Sequence, residues 1–285
     1  MQLSRPSAEI FVPDELAAAK ALARTTHLAV GAHQDDLEIM AFDGILRCFQ
    51  SDERWFTGVV VSDGAGSPRD DLYKGMSDDT MRRVRRKEQR KAAVVGEYAA
   101  LVLLDHPSAA VKDPAGRAVV EDLSAVLEAT RPEVVYTHNL ADKHDTHVAV
   151  ALRLIAAVRA LPAAARPRRL FGCEVWRDLD WMIDSDKVAF DASAHENLQA
   201  ALLGVFDSQI CGGKRYDLAT MGRRRAHATY HSSHATDTAT GVVFAMDLTP
   251  LVAEAPPDVA AFLETQLQRF RDDVLGRIQR MSGPR

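Results

Sequence analysis

Leu28-Ala29-Val30-Gly31 is an apolar run that stops at a glycine and meets Ala32-His33-Gln34-Asp35-Asp36-Leu37-Glu38. A strand that ends in histidine and carboxylates, then turns into a helix (here Leu37 to Phe49), is where an open α/β sheet places its chemistry. The pattern returns about a hundred residues later, where the β-rich run Val134 to Thr137 leads into His138-Asn139-Leu140-Ala141-Asp142-Lys143-His144-Asp145-Thr146-His147. A strongly apolar helix, Val148 to Leu161, follows directly.

Between these two clusters the chain alternates strand and helix. Thr57 to Val61 and Leu101 to Leu104 read as further buried strands, and Met81 to Tyr98 and Gly116 to Thr130 as helices. Such alternation predicts βαβ units and a mostly parallel sheet with helices on both faces. Residues 1–14 read as an irregular arm, and Asp14 to Arg24 as a short helix before the first strand. Beyond residue 165 the pattern is less regular. Arg168 to Val175 and Val242 to Leu248 read as strands; Ala194 to Ile210, Tyr216 to His227 and the amphipathic tail Pro257 to Met281 read as helices. The simplest organisation is one domain over residues 1–285, with a core of about 25–165 and a C-terminal extension of about 166–285.

The apolar fraction, 47%, and charged fraction, 26%, are those of a soluble globular chain that buries its own core. A formal net charge of −5 argues against nucleic acid or an anionic membrane surface as partner. No run approaches the ~20 apolar residues that span a bilayer. Arg5, Glu9, Asp14 and Glu15 interrupt the N-terminal region where a secretory signal would need an apolar stretch, so a cytoplasmic protein is expected. Cys48, Cys173 and Cys211 are widely spaced and read as reduced thiols. Neither GxGxxG nor GxSxG occurs, which leaves dinucleotide binding and serine hydrolysis without support.

His33, Asp36 and His147 form a ligand set of two imidazoles and one carboxylate, which leaves a fourth position for water as catalytic zinc sites do. Asp35, beside a ligand but free of the metal, is placed to act as general base on that water. His144 is a candidate acid or oxyanion stabiliser, and Asp142 is placed to hold the His144 ring in one tautomer. Helix capping would account for one of these aspartates. It does not account for two adjacent aspartates beside a histidine and an HxxH at a second strand end. His227, His231 and His234 form a rival HxxxHxxH, but Thr229, Tyr230, Ser232 and Ser233 make a poor helix to present it. The basic runs Arg82 to Lys87 and Arg223 to Arg225 read as solvated helix faces.

HQDDLE followed by DKHDTH resembles the PIG-L/LmbE-like family of zinc-dependent N-acetylglucosaminyl deacetylases. The resemblance runs from about His27 to Leu161 and more weakly to Gln209. It implies a Rossmann-like fold, one divalent metal held by His33, Asp36 and His147, Asp35 as base and His144 as transition-state stabiliser. It also implies that Arg85 and Glu88 match the family's RxxE pattern, with Arg85 a candidate for gripping substrate, and that Phe206 to Gln209 matches a later S-Q element. Gln34 stands where proline is commonest, and Thr146 stands where the second motif usually has aspartate.

The expected activity is removal of the acetyl group from a small N-acetylated amino sugar or sugar conjugate. Zn2+ is the expected metal, although the donor set would also accept iron or cobalt. Hydrolysis of another amide or ester at the same site, and a non-catalytic sugar-binding protein, are the alternatives; the spare carboxylate of Asp35 speaks against the second. A homo-oligomer is left open.

Overall fold

Strands β2 (His27–Gly31) and β3 (Phe56–Ser62) are buried at every position. A strand is buried that way when its sheet is covered on both faces. The computed structural model describes residues 1–283 and has that arrangement. Among the described residues, eight strands form one sheet in the order β1-β4-β3-β2-β5-β6-β8-β7. Here β1 is Glu9–Phe11, β4 Ala100–His106, β5 Val134–His138, β6 Arg169–Cys173, β7 Lys187–Asp191 and β8 Val242–Asp247. The central strands β4, β3, β2, β5 and β6 are parallel. β1 is antiparallel to β4, and β8 is antiparallel to both β6 and β7.

The pleat sorts side chains between two cores. Leu28, Val30, Val59, Val61, Val102 and Leu104 point to one face. There they meet apolar residues of α1 (Ala18–Ala23), α6 (Ala118–Thr130) and α7 (Asp145–Ala160). Ala29, Val60, Leu101 and Leu103 point to the other face. That side is covered by α2 (Asp36–Met40), α3 (Phe42–Cys48), α4 (Asp78–Val95) and α8 (Glu196–Gly204). Shorter α5 (Ser108–Lys112) and α9 (Asp207–Ile210) border the strand ends, α10 (Tyr216–Tyr230) packs on α8 and β8, and α11 (Val259–Met281) closes the described chain. No described helix is long and apolar enough to cross a membrane.

The winding reverses between β2 and β5, which pair in register at His27 with Val134, Leu28 with Val135 and Ala29 with Tyr136. The chain first moves outward from β2 through β3 to β4, then crosses back to β5 and β6 on the other side. The crevice above the carboxyl ends of two such strands is where doubly wound sheets bind ligands.

The α/β class and the mostly parallel sheet agree with the sequence pattern. The helix expected over Leu37 to Phe49 is instead two helices, broken at Ala41 with φ −110° and ψ 25°. The break lets α3 lie flat on the sheet, where a Cβ on Gly44 would stand 2.6 Å from Tyr136 Cε2. The helix expected over Ala194 to Ile210 also breaks, at Val205 and Phe206, which sinks the Phe206 ring into the core. The expected irregular arm contains edge strand β1, and β7 is a second edge strand that the pattern does not mark. Both β7 and β8 continue the central sheet, so residues 166–283 are built onto the same core.

Arg224 shows how that later segment holds the earlier one. α2 is only five residues long, so its last carbonyls have no partners within the helix. Arg224 Nη2 donates to Glu38 O at 2.9 Å and Ile39 O at 3.0 Å, and Nη1 donates to Gln199 Oε1 at 2.7 Å. Burial pushes the Arg224 guanidinium down to about 9, so holding this charge has a cost that its hydrogen bonds offset. Arg224→Met removes all three donors and is expected to destabilise the fold by roughly 2–4 kcal/mol in urea denaturation. A loss below 0.5 kcal/mol, the scale of an ordinary surface substitution, would show that Arg224 is not the anchor.

Candidate metal centre

The turn after β2 is held by its own side chains. Asp36 Oδ2 accepts the backbone N–H of His33 at 2.6 Å, which folds the loop back on itself. Asp35, between them, sits in the left-handed region with φ 92°, a conformation that favours Asp and Asn among non-glycine residues. Its N–H donates to Gln89 Oε1 at 3.2 Å. Gln89 Nε2 and Tyr98 Oη both donate to Glu38 Oε1 at 2.7 Å. Burial pushes the Glu38 carboxyl up to about 7, against the two donors that lower it. Glu38 therefore supports the Asp35 backbone through Gln89 and takes no direct part in the cluster.

The second half of the site follows β5. His138 closes the strand, His144 precedes α7, and His147 lies in its first turn. Across 114 residues of sequence, His33 Nδ1 comes within 3.1 Å of His147 Nε2. His33 Nδ1 is 3.3 Å from Asp36 Oδ2, and His147 Nε2 is 3.5 Å from that same oxygen. A tetrahedral site with metal–ligand bonds of roughly 2.0–2.1 Å has edges of roughly 3.3–3.4 Å. The three donors form a triangle of that size, so these residues fit a zinc-sized cation.

His138 and His144 extend the cluster on either side. His33, His144 and His147 form one group able to hold a metal ion, and Asp36, His138 and His147 form another. His138 was not singled out by the sequence, although it ends a strand directly before the second motif. Its Nε2 accepts the N–H of Ala32 at 2.9 Å and lies 3.3 Å from Asp36 Oδ2. Because a backbone donor already occupies that nitrogen, His138 offers no free lone pair there, and the inward lone pairs are left to His33 and His147.

Asp142 differs from expectation. Its Oδ2 lies 3.4 Å from His147 Nδ1, and its Oδ1 accepts only the backbone N–H of His144 at 2.9 Å. It therefore orients the His147 ring, not the His144 ring, and a proton on Nδ1 leaves Nε2 free to bind. Carboxylates behind a metal-binding histidine raise metal affinity by about 10–100-fold. Asp142→Ala is expected to weaken zinc affinity by about that factor, measured by competition with a chelating dye; unchanged affinity would remove Asp142 from this role.

The electrostatics separate the two adjacent aspartates. Burial alone would raise the Asp36 carboxyl, but His147 and His138 hold it well below the usual range. Asp35 is held well above that range, first by burial and then by the neighbouring Asp36, with Arg85 opposing. Burial pushes the His147 imidazole down to about 4, so this ring is neutral at physiological pH. His144 is lowered by burial and by His33.

A cleft of about 360 Å³ opens over the cluster. His33, Asp35, Asp36 and His144 form its floor, and the Ser62 to Pro68 loop, Ser108, Val175, Trp176, Gln209, Lys214 and Tyr216 complete its lining. Arg85 lies behind the wall, 1% exposed, donating to Gly64 O and reaching Gln209 Oε1 at 3.5 Å. Glu88, on the same face of α4, accepts from Ser208 N at 2.8 Å and Ser208 Oγ at 2.6 Å. The RxxE and S-Q features thus pair with each other. Gln209 Nε2 in turn donates to Gln34 O at 3.0 Å, tying α9 to the first motif.

The rival histidines lie elsewhere. His227 stacks on Phe244 with centroids 4.1 Å apart, and its Nδ1 is 3.4 Å from Glu174 Oε2. His231 also packs on Phe244, and His234 is exposed; these three form no metal-binding group among the described residues.

The family model described as PIG-L: GlcNAc-PI de-N-acetylase matches residues 28–158. Comparison with curated proteins gives no match. Several solved structures share the fold. N,N'-diacetylchitobiose deacetylase from Pyrococcus horikoshii is 16% identical with a TM-score of 0.61, the match covering 83% of this chain and 88% of that one. The 4-carboxy-2-hydroxymuconate hydratase GalB from Pseudomonas putida KT2440 is 18% identical with a TM-score of 0.59, covering 82% and 100%. The A40926 pseudoaglycone deacetylase Dbv21 is 16% identical with a TM-score of 0.54, covering 79% and 97%. At these identities the likeness is one of fold.

Proposed function

We propose, from the match of residues 28–158 to the PIG-L: GlcNAc-PI de-N-acetylase family model, that the chain is a zinc-dependent deacetylase of a small N-acetylated amino sugar or sugar conjugate. One observation carries the reading. Donor atoms of His33, Asp36 and His147 converge at zinc-site spacing, and a further carboxylate, Asp35, lines the same cleft. A divalent metal bound there would supply a water of lowered pKa and a Lewis acid for the acetamide carbonyl.

The chain's own groups account for the proton movements. Asp35 accepts a proton at its carboxylate as water attacks the carbonyl carbon, and returns it to the amine nitrogen as the C–N bond breaks. His144, beside His33 in the cleft floor, donates from its ring to the developing oxyanion. Ser62, Ser108 and Gln209 give the wall polar groups suited to sugar hydroxyls. Arg85, from behind that wall, acts as a positioning residue for Gly64 and Gln209. The experiment is to measure acetate and free amine released from a panel of N-acetylated amino sugars, with and without zinc. Equimolar acetate and amine that disappear on chelation are expected. Hydrolysis of some other acyl compound, with no acetate from any sugar, would overturn the reading.

A further inference from the structure

Helix α11 runs for 23 residues, roughly 34 Å, and none of its described residues is buried. A helix of a globular chain normally draws its stability from one face packed on the core. Here the attachment is confined to the first half. Phe262 and Leu263 pack at the margin of the core, Phe270 meets Trp181 with ring centroids 6.3 Å apart, and Arg269 pairs with Asp186 at 2.9 Å. From Arg271 onward, no described side-chain hydrogen bond or ion pair leaves the helix. The helix also lies outside residues 28–158, the part that matches the family model.

The uncovered face is apolar. Leu263, Leu267, Phe270, Val274, Ile278 and Met281 follow one another at steps of three or four residues, which places them on one stripe. Leu275 widens it near the middle. From Leu267 onward each of these side chains is more than a third exposed, rising to 79% at Met281. Their open surface equals about three whole apolar side chains, on the order of 500 Å². That is the upper end of what a monomer leaves uncovered.

The order of the stripe says what covers it. Read backwards about Asp272, Met281 takes the place of Leu263, Val274 that of Phe270, and Ile278 falls within one residue of Leu267. A surface that matches itself on reversal is what a two-fold interface between identical chains requires. Two such stripes together bury roughly 1,000 Å², about the least that a specific interface buries. A helix lying on a membrane would carry a basic polar face. Here Arg269 and Arg277 are already paired, with Asp186 and Asp273, in a chain of net charge −5.

We infer that α11 is a self-association helix, laid antiparallel against the same helix of a second copy about a two-fold axis level with Asp272. Phe270 then packs on Val274 of the partner subunit, and Leu267 on Ile278 of the partner subunit. Pairing covers the stripe and gives the second half of the helix the packing that its own core does not supply. The inference is independent of the metal centre and of the deacetylase reading.

The test is sedimentation velocity across a wide concentration range. Wild type is expected at twice the 31.3 kDa mass of the chain, and Val274→Asp/Ile278→Asp at the mass of one chain. Unchanged zinc binding by the double variant shows that its core is folded. A wild type at the mass of one chain at every concentration, or a double variant as large as the wild type, would overturn the inference. So would a monomeric wild type that co-sediments with phosphatidylglycerol vesicles, which assigns the stripe to a membrane. The direction is read by cross-linking in a Cys211→Ser background, which removes the exposed native thiol. Leu267→Cys and Ile278→Cys chains, mixed and oxidised with diamide, should link to each other and neither to itself. Self-linking of either variant, or no link at all, would rule out the antiparallel pairing.

Discussion

Asp35→Asn is expected to lower kcat by about 10²–10⁴ while zinc stays bound. Asparagine is the appropriate replacement because residue 35 has φ 92°, and asparagine tolerates that region as aspartate does. The backbone N–H that Gln89 receives is also retained. What is lost is a carboxylate in the cleft floor that can take and return a proton. Metal content measured by atomic emission beside acetate release separates the roles: metal retained with activity lost is expected. Full activity in Asp35→Asn would remove the general base from the mechanism, and loss of metal would make Asp35 a ligand.

His147→Ala has the larger consequence, because His147 Nε2 supplies one corner of the donor triangle and its ring stacks on both His138 and His144. Metal binding and activity are expected to disappear together. Wild type should gain about 2.7 kcal/mol of stability at zinc concentrations a hundredfold above Kd, and the variant none. Thermal unfolding with and without zinc reads this directly. A zinc-dependent rise in Tm that persists in His147→Ala would shift the centre toward the other donors.

The sequence carries the site in an unusually local form. Each motif is a strand end followed by a helix start, so His33 and Asp36, and His144 and His147, are placed by geometry that acts within a few residues. The register of β2 against β5 then joins the halves. What the sequence does not carry is contact between distant segments. His138 looks like the end of a strand, and only the approach of Ala32 shows what its ring does. Asp142 stands two residues before His144 and five before His147 in sequence, yet the start of α7 brings the farther ring to its carboxylate. The breaks at Ala41 and Phe206 have no proline to announce them; they follow from packing against Tyr136 and the core. Trp176 and Lys214 come from stretches without periodic signal and Tyr216 only opens an expected helix, so this end of the cleft is the least legible part. Arg85 was marked by its motif, yet its burial behind Gly64 could not be read from it.

The reversal of winding between β2 and β5 has a kinetic consequence. Neither the first motif nor the second offers three donors alone, and a parallel pairing across more than a hundred residues forms late because the loop it closes is long. The intervening units β3, α4, β4 and α6 can consolidate beforehand without creating the centre. Metal capture is therefore a timer for the last long-range docking step of folding. In a refolding experiment, acquisition of the cation should track the slowest phase, after most helical signal has returned.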